Sequence, residues 1–250
     1  MKNLKIMGLS LPILLCTTTK VIGADIFSKE QRNGIEKVVE EFLLKKPEVL
    51  EKAFQNLQEK RQQEQTSQNK SIISKNAGEI FNKSSDPFIG NPQGHKKLVV
   101  FMDPFCGHCR KFHTILNMVP QDPELKDVKI IFKDLPIFGE ISKLAVRAIF
   151  AAKNQGKYAE FQNAVFEASP DMTEQDIFNI AEKIGLDIDK FKTDLASSLV
   201  EKKIVENETL ASSLGIDATP TLIYGDVIIP GGPDLNSLKK LFSLDSKRKN

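Results

Sequence analysis

The sequence predicts an α/β protein: a strand–helix–strand unit, a long helical block and a strand–strand–helix unit, preceded by an α-helical N-terminal segment. Three observations predict it. Two near-continuous apolar runs, "KLVVFMD" (Lys97 to Asp103) and "DVKIIFKDLPI" (Asp127 to Ile137), read as strands buried on both faces. Between them Gly107 to Val119 reads as a helix, which makes the connection a right-handed parallel crossover. After a helical pattern from Gly139 to about Gly215, "TLIYGDVIIPGG" returns to strand, turn, strand.

The first 24 residues stand apart. Lys2 and Lys5 precede an apolar run from Ile6 to Cys16, and small residues follow at Gly23-Ala24. This is the layout of a secretory signal peptide, and the run is too short to span a bilayer. Leu15 stands where a lipidated cysteine wants a small residue, so Cys16 is not expected to carry lipid. Removal of residues 1–24 takes away three of the 35 basic residues, against 33 acidic ones, and one of the three cysteines. The mature chain is then close to neutral and keeps only Cys106 and Cys109, a pair able to close in an oxidising compartment. An exported protein, most simply of a bacterial periplasm or surface, is expected. Nothing in the composition is a nucleic-acid footprint.

In residues 25–72, Ile35, Val38, Val39, Phe42 and Leu43 recur at helical spacing. Pro47 suits the first turn of a second helix, whose apolar stripe is Leu50, Ala53, Phe54 and Leu57. So short a pair cannot bury these stripes alone. They either lie on the main domain or form an oligomerisation stalk. The run of Gln, Glu, Lys and Arg after Leu57 resembles a spacer and favours the stalk.

The main domain is placed at 77–250. It opens with the turn-rich "DPFIGNPQGHKK", then the first buried strand and the helix carrying Cys106-Gly107-His108-Cys109. Its helical insertion is placed at about 139–214. There Leu144, Ala145, Ala148, Ile149 and Ala152 share a face, Thr173 caps a helix and Gly185 stops it. "DLNSLKKLFSL" closes the chain as an amphipathic helix.

A cysteine between a strand and a helix sits among unsatisfied backbone N–H groups that favour the thiolate. Cys106 has that place and is expected to be the nucleophile; Cys109, one turn on and more buried, resolves. His108 can put positive charge near the Cys106 thiolate, which stabilises the dithiol and makes the disulfide more oxidising, and Gly107 adds backbone freedom. The alternatives are an inert disulfide, or a metal site completed by His108 or His113. His95 reads as a surface loop residue. Far along the chain, "GIDATPTLIYG" begins a strand with Thr219-Pro220, although proline gives no ladder hydrogen bond. With a cis bond that loop would present backbone to an extended peptide beside the sulfurs.

These residues resemble the DsbA-like thiol-disulfide oxidoreductases of the thioredoxin superfamily, from about Ile80 to Leu244, on "FCGHC" after a buried strand, the helical insertion and "LGIDATPTLIYG". The resemblance implies a thioredoxin fold with an inserted helical domain, a nucleophilic Cys106, a resolving Cys109 and a cis Pro220 on the peptide-binding loop. It implies action on unfolded or misoxidised exported proteins with a membrane redox partner, and no metal or organic cofactor. "EEFLLKKPEVLEKAFQNLQEK" is similar to the oligomerisation helices of a branch whose members form dimers or trimers and can isomerise disulfides. That branch includes copper-tolerance proteins and surface antigens, so a copper- or zinc-binding envelope protein and a structural surface protein are the rival functions. Two departures stand out. Gly107-His108 replaces the usual Pro-His, and Val100 occupies the position, six residues before the first cysteine, where relatives often bury an acid. Asp103, Lys133 and Asp134 are the candidates to move protons or tune the redox centre in its stead.

Overall fold

The computed structural model describes residues 26–248, with side chains through residue 243; the expected leader and Cys16 lie outside the described residues. The chain forms two compact units that divide between Glu59 and Lys60.

The first unit is helical. Helix α1 (Lys29–Lys45) starts with a capping box, in which the Ser28 hydroxyl accepts the Gln31 N–H and the Gln31 side chain accepts the Ser28 N–H. It stops at Lys46 because the residue before a proline is pushed out of the helical region. Helix α2 (Glu48–Lys75) starts directly after Pro47, whose carbonyl accepts the Leu50 and Glu51 N–H groups. No residue of α1 is buried, and Ile35, Val38, Val39, Phe42, Leu50, Phe54 and Leu57 are all exposed. The polar run past Leu57 is helical: Gln, Glu, Lys and Arg are good helix formers, and α2 continues through them beyond residue 72.

In the second unit the end of α2 and the short α3 (Ala77–Phe81) bury Ile73 and Ile80. A five-stranded mixed sheet follows. It comprises β1 (Phe88–Gly90), β2 (Lys96–Met102), β3 (Val128–Asp134), β4 (Thr221–Tyr224) and β5 (Val227–Pro230), in the order β1-β3-β2-β4-β5. Strands β2 and β3 are parallel, joined through α4 (Gly107–Met118); the other pairings are antiparallel. Strand β1 lies within the segment read from sequence as turns alone. Three residues show no period, and their pairing with β3 is fixed only by the sheet.

Alternation along β2 divides the core. Leu98, Val100 and Met102 join Cys109, Phe112 and Leu116 of α4 on one face of the sheet. Val99 and Phe101 join Ile73, Ile80, Leu210 and Ile223 on the other. Both faces are covered, which is why the strands read as unbroken apolar runs.

The insertion consists of α5 (Glu140–Lys153), α6 (Tyr158–Glu167), α7 (Glu174–Lys183), α8 (Ile188–Leu195) and α9 (Ser198–Ser213). Ala145, Ala148, Ile149, Phe161, Val165 and Phe191 belong to the same apolar cluster as Cys109 and Phe112, so the insertion shares the core beneath α4, while Val146, Phe150, Val200 and Ile204 form a small cluster within it. Helix α10 (Leu235–Arg248) adds Leu238 and Phe242 to that cluster.

Candidate active site

Cys106 is the N-cap of α4, with extended backbone (φ −80°, ψ 117°). Its Sγ accepts the Cys109 N–H at 3.4 Å, so a free N–H of the first turn points at the sulfur. The same Sγ donates to the Thr219 carbonyl oxygen at 3.2 Å. Both cysteines are free thiols. Cys106 keeps 4% of its surface and Cys109 none. Burial pushes the Cys109 thiol well above the ordinary thiol range, and the Asp103 backbone pulls the other way. The Thr219 hydroxyl is itself buried with no hydrogen-bond partner.

The Thr219–Pro220 peptide bond is cis. The Gly231 N–H donates to the Pro220 carbonyl at 2.8 Å, which brings the end of β5 against this loop. A side chain at Gly232 would meet the Phe112 ring at 2.5 Å, so only glycine lets that segment lie against α4. Between α4 and the cis-proline loop runs a groove of about 320 Å³, lined among others by His108, Lys111, Phe112, Ile115, Thr219 and Pro220. His108 and Gly107 are exposed at its mouth.

Asp103, fully buried, accepts the Phe105 N–H at 2.7 Å through one carboxylate oxygen. Through the other it accepts Ile137 N–H at 2.7 Å, Phe138 N–H at 3.2 Å and the Ser142 hydroxyl at 2.6 Å. It ties the active-site turn to the loop entering α5, and every oxygen is already engaged.

A profile of the DSBA-like thioredoxin domain matches residues 97–243, more than half of the chain and all of the elements just described around the cysteines. The chain belongs to this family. Among solved structures, the thiol-disulfide exchange protein alpha-DsbA2 of Wolbachia pipientis is 30% identical, with TM-score 0.65, covering 70% of this chain and 95% of its own. A curated relative, the probable disulfide bond formation protein D of Bacillus anthracis, is 26% identical over 181 residues, 68% of this chain and 82% of its own. A linker-deletion mutant of Proteus mirabilis ScsC shares the fold at TM-score 0.64 and 22% identity, over 90% of this chain.

In this DsbA-like thioredoxin fold the candidate residues fall into separate groups. Cys106, Cys109, Thr219, Pro220 and Asp103 converge at the N-terminus of α4, with His108 and Gly107 on its exposed side. Lys133 does not join them. It alternates with Ile131 on the other face of β3, where its ammonium is held by Asp86 and the Glu79 carbonyl, and Lys203 grips the same carboxylate. One residue along, Asp134 faces the active-site side. Its carboxylate accepts from the Tyr158 hydroxyl at 2.9 Å and the Gln162 amide at 3.3 Å, and burial raises it to about 7 against the pull of those two donors. Val100 lies between Phe132 and Leu222, in a wholly apolar stretch of the sheet.

Tyr158, Gln162 and Ser142 come from the insertion, and sequence reasoning missed them. Tyr158 and Gln162 are one turn apart on an otherwise apolar face, a faint signal with no stated partner. Arg110, beside Cys109, donates to the Phe166, Ala168 and Ser169 carbonyls at the end of α6, which ties the active-site helix to the insertion. Among the described residues no three His, Cys, Asp or Glu side chains converge as metal ligands, and no helix is long and apolar enough to cross a membrane.

Proposed function

We propose that the protein exchanges disulfides with exported proteins through Cys106 and Cys109, forming or rearranging their bonds. The observation that carries this reading is the Cys106 sulfur, capped onto α4 and set against the Thr219 carbonyl beside a groove large enough for an extended peptide. In the reduced protein, Cys106 thiolate attacks a substrate disulfide and one substrate sulfur leaves as thiolate. Cys109 then attacks Cys106, closes the 106–109 disulfide and releases the second substrate sulfur. Run in reverse, the oxidised pair accepts two electrons from a substrate dithiol, and a membrane redox partner resets it. Pro220 and Thr219 hold the substrate backbone, His108 favours the thiolate, and Asp103 fixes the turn that presents Cys106.

The exposed apolar residues of α1 and the start of α2 are read as the contact by which two or three copies associate. An oligomer with a shared cleft suits isomerisation, and the short leader-like segment at 1–24 suits export to a periplasm. The test is reactivation of a scrambled-disulfide protein beside oxidation of a reduced peptide. Activity in the first assay that falls when Phe42→Glu and Val39→Glu are introduced supports an oligomeric isomerase; oxidation alone, unchanged by those substitutions, assigns an oxidase. No activity of wild type in either assay refutes the proposal.

A further inference from the structure

His113 is a buried polar group that the exchange reaction leaves unexplained. It lies one turn after Cys109 on the same buried face of α4, with 2% of its surface exposed. Residues four apart on a helix are neighbours, and long helical side chains lean towards the N-terminus, here towards Cys109. Its ring stacks on Phe166 (centroids 4.4 Å apart, 9° between planes), which fixes its plane. Nδ1 faces the Asn117 amide nitrogen at 3.5 Å, a group that can only donate, so the ring proton belongs on Nε2. The Asn117 amide is oriented by its own bond to Asn163 Oδ1 at 3.1 Å. Nε2 is buried without a hydrogen-bond partner. Burial also holds the imidazole near pKa 4, so it stays neutral, against an upward pull from the nearby Gln162 side chain, whose approach to the ring falls short of hydrogen-bond geometry.

A buried N–H without an acceptor costs on the order of 1–3 kcal/mol. It is tolerated where an acceptor forms during turnover. One such acceptor arises here, on the neighbouring sulfur. When a thiolate opens the 106–109 disulfide, Cys109 leaves carrying the electron pair; when a mixed disulfide at Cys106 is resolved, Cys109 must first become anionic. Both passages put negative charge on a fully buried sulfur. We propose that His113 is a catalytic donor of this redox centre, its Nε2–H donating to the Cys109 sulfur as that sulfur becomes a thiolate. In the resting dithiol no such bond exists, so the donor acts on the transition state and the thiolate rather than on the ground state. No proton is transferred: the imidazole stays neutral, the Cys109 proton exchanges with solvent, and the electrons move only between sulfurs.

This inference rests on the exchange chemistry proposed above but not on any protein substrate. The test uses the full chain and glutathione. Two rates are measured in wild type, His113→Phe and His113→Gln: opening of the 106–109 disulfide by reduced glutathione, and resolution of a glutathione mixed disulfide at Cys106. Phe keeps the stack and removes the donor; Gln keeps a donor. Loss of one preorganised donor is expected to slow both rates by at least about tenfold in His113→Phe, with the overall equilibrium with glutathione unchanged and His113→Gln recovering most of the loss. A packing defect would instead shift the melting temperature and leave the two rates uncoupled. Rates in His113→Phe within twofold of wild type overturn the proposal. Independently of folding in either variant, 15N NMR of the wild-type imidazole should find the proton on Nε2, and a proton on Nδ1 overturns it too. A wild type that reacts with glutathione yet acts on no protein substrate refutes the proposed function and leaves the His113 result standing.

Discussion

The Cys106 sulfur rests 3.2 Å from the carbonyl oxygen of Thr219, a residue 113 positions further along the chain. The helical insertion separates these two in sequence, and the sheet reunites them: β2 delivers Cys106, and β4, its antiparallel neighbour, begins directly after Pro220. The nucleophile and the loop that would hold its substrate are therefore positioned by one strand pairing.

If Cys106 attacks and Cys109 resolves, the two cysteines fail differently. Cys106→Ser should reduce exchange to the uncatalysed rate. Cys109→Ser should retain attack but accumulate covalent adducts with substrate, visible as bands on a non-reducing gel that vanish with reductant. Adducts in the Cys106→Ser protein instead would reverse the assignment.

Asp103→Asn should destabilise the fold by about 3 kcal/mol, because an amide in place of the carboxylate sets an N–H donor against backbone N–H groups that now have an acceptor. Denaturant titration reads this. A loss below about 1 kcal/mol would mean that the turn does not depend on the carboxylate.

Asp134 gives the stability curve a sign. Its folded value of about 7 lies above the ordinary 3.8, so the folded state holds a proton that the unfolded state has released. Its stabilising contribution is complete below about pH 4 and is lost as pH rises through 7. His113, depressed from 6.5 to about 4, works oppositely: its neutral form is favoured on folding, and stability falls as pH drops through the same window. Asp134→Asn removes the first effect alone. It should be more stable than wild type at pH 8, by up to about 4 kcal/mol, with no comparable gain at pH 4. Parallel melting temperatures at the two pH values would show that the carboxyl is not held protonated.

The exposed side chains of Val39 and Phe42 offer a test that leaves the second unit untouched. Val39→Glu with Phe42→Glu should convert an assembly of two or three copies to a monomer in light scattering, with the melting temperature of the thioredoxin unit unchanged. A wild-type protein that is already monomeric would remove the stalk reading.

Periodicity made β2, α4, β3 and the insertion helices legible, because each is long and one-sided or wholly apolar. Strand β1 was not legible, being three residues whose only specification is a neighbour. The end of α2 beyond residue 72 was not legible, because a polar run carries no stop signal when its residues are themselves helix formers. At the site, Cys106-Gly107-His108-Cys109 and Thr219-Pro220 were visible as local patterns. Lys133 and Asp134 looked like one candidate pair, yet a strand sends consecutive side chains to opposite faces, and only Asp134 faces the active-site side.

By itself the sequence determined the family, the order of the longer elements and the two sulfurs, since spacing along one helix and one strand fixes these without reference to anything distant. Only the tertiary structure decided how the buried polar groups are partnered. Asp103 is filled by donors from the loop before α5, Asp134 by Tyr158 and Gln162 of α6, and His113 stacks on Phe166 with its Nε2 unpartnered. Those relations join residues tens of positions apart. Burial then sets their protonation and their cost, and burial belongs to the packed core, not to any local stretch of chain.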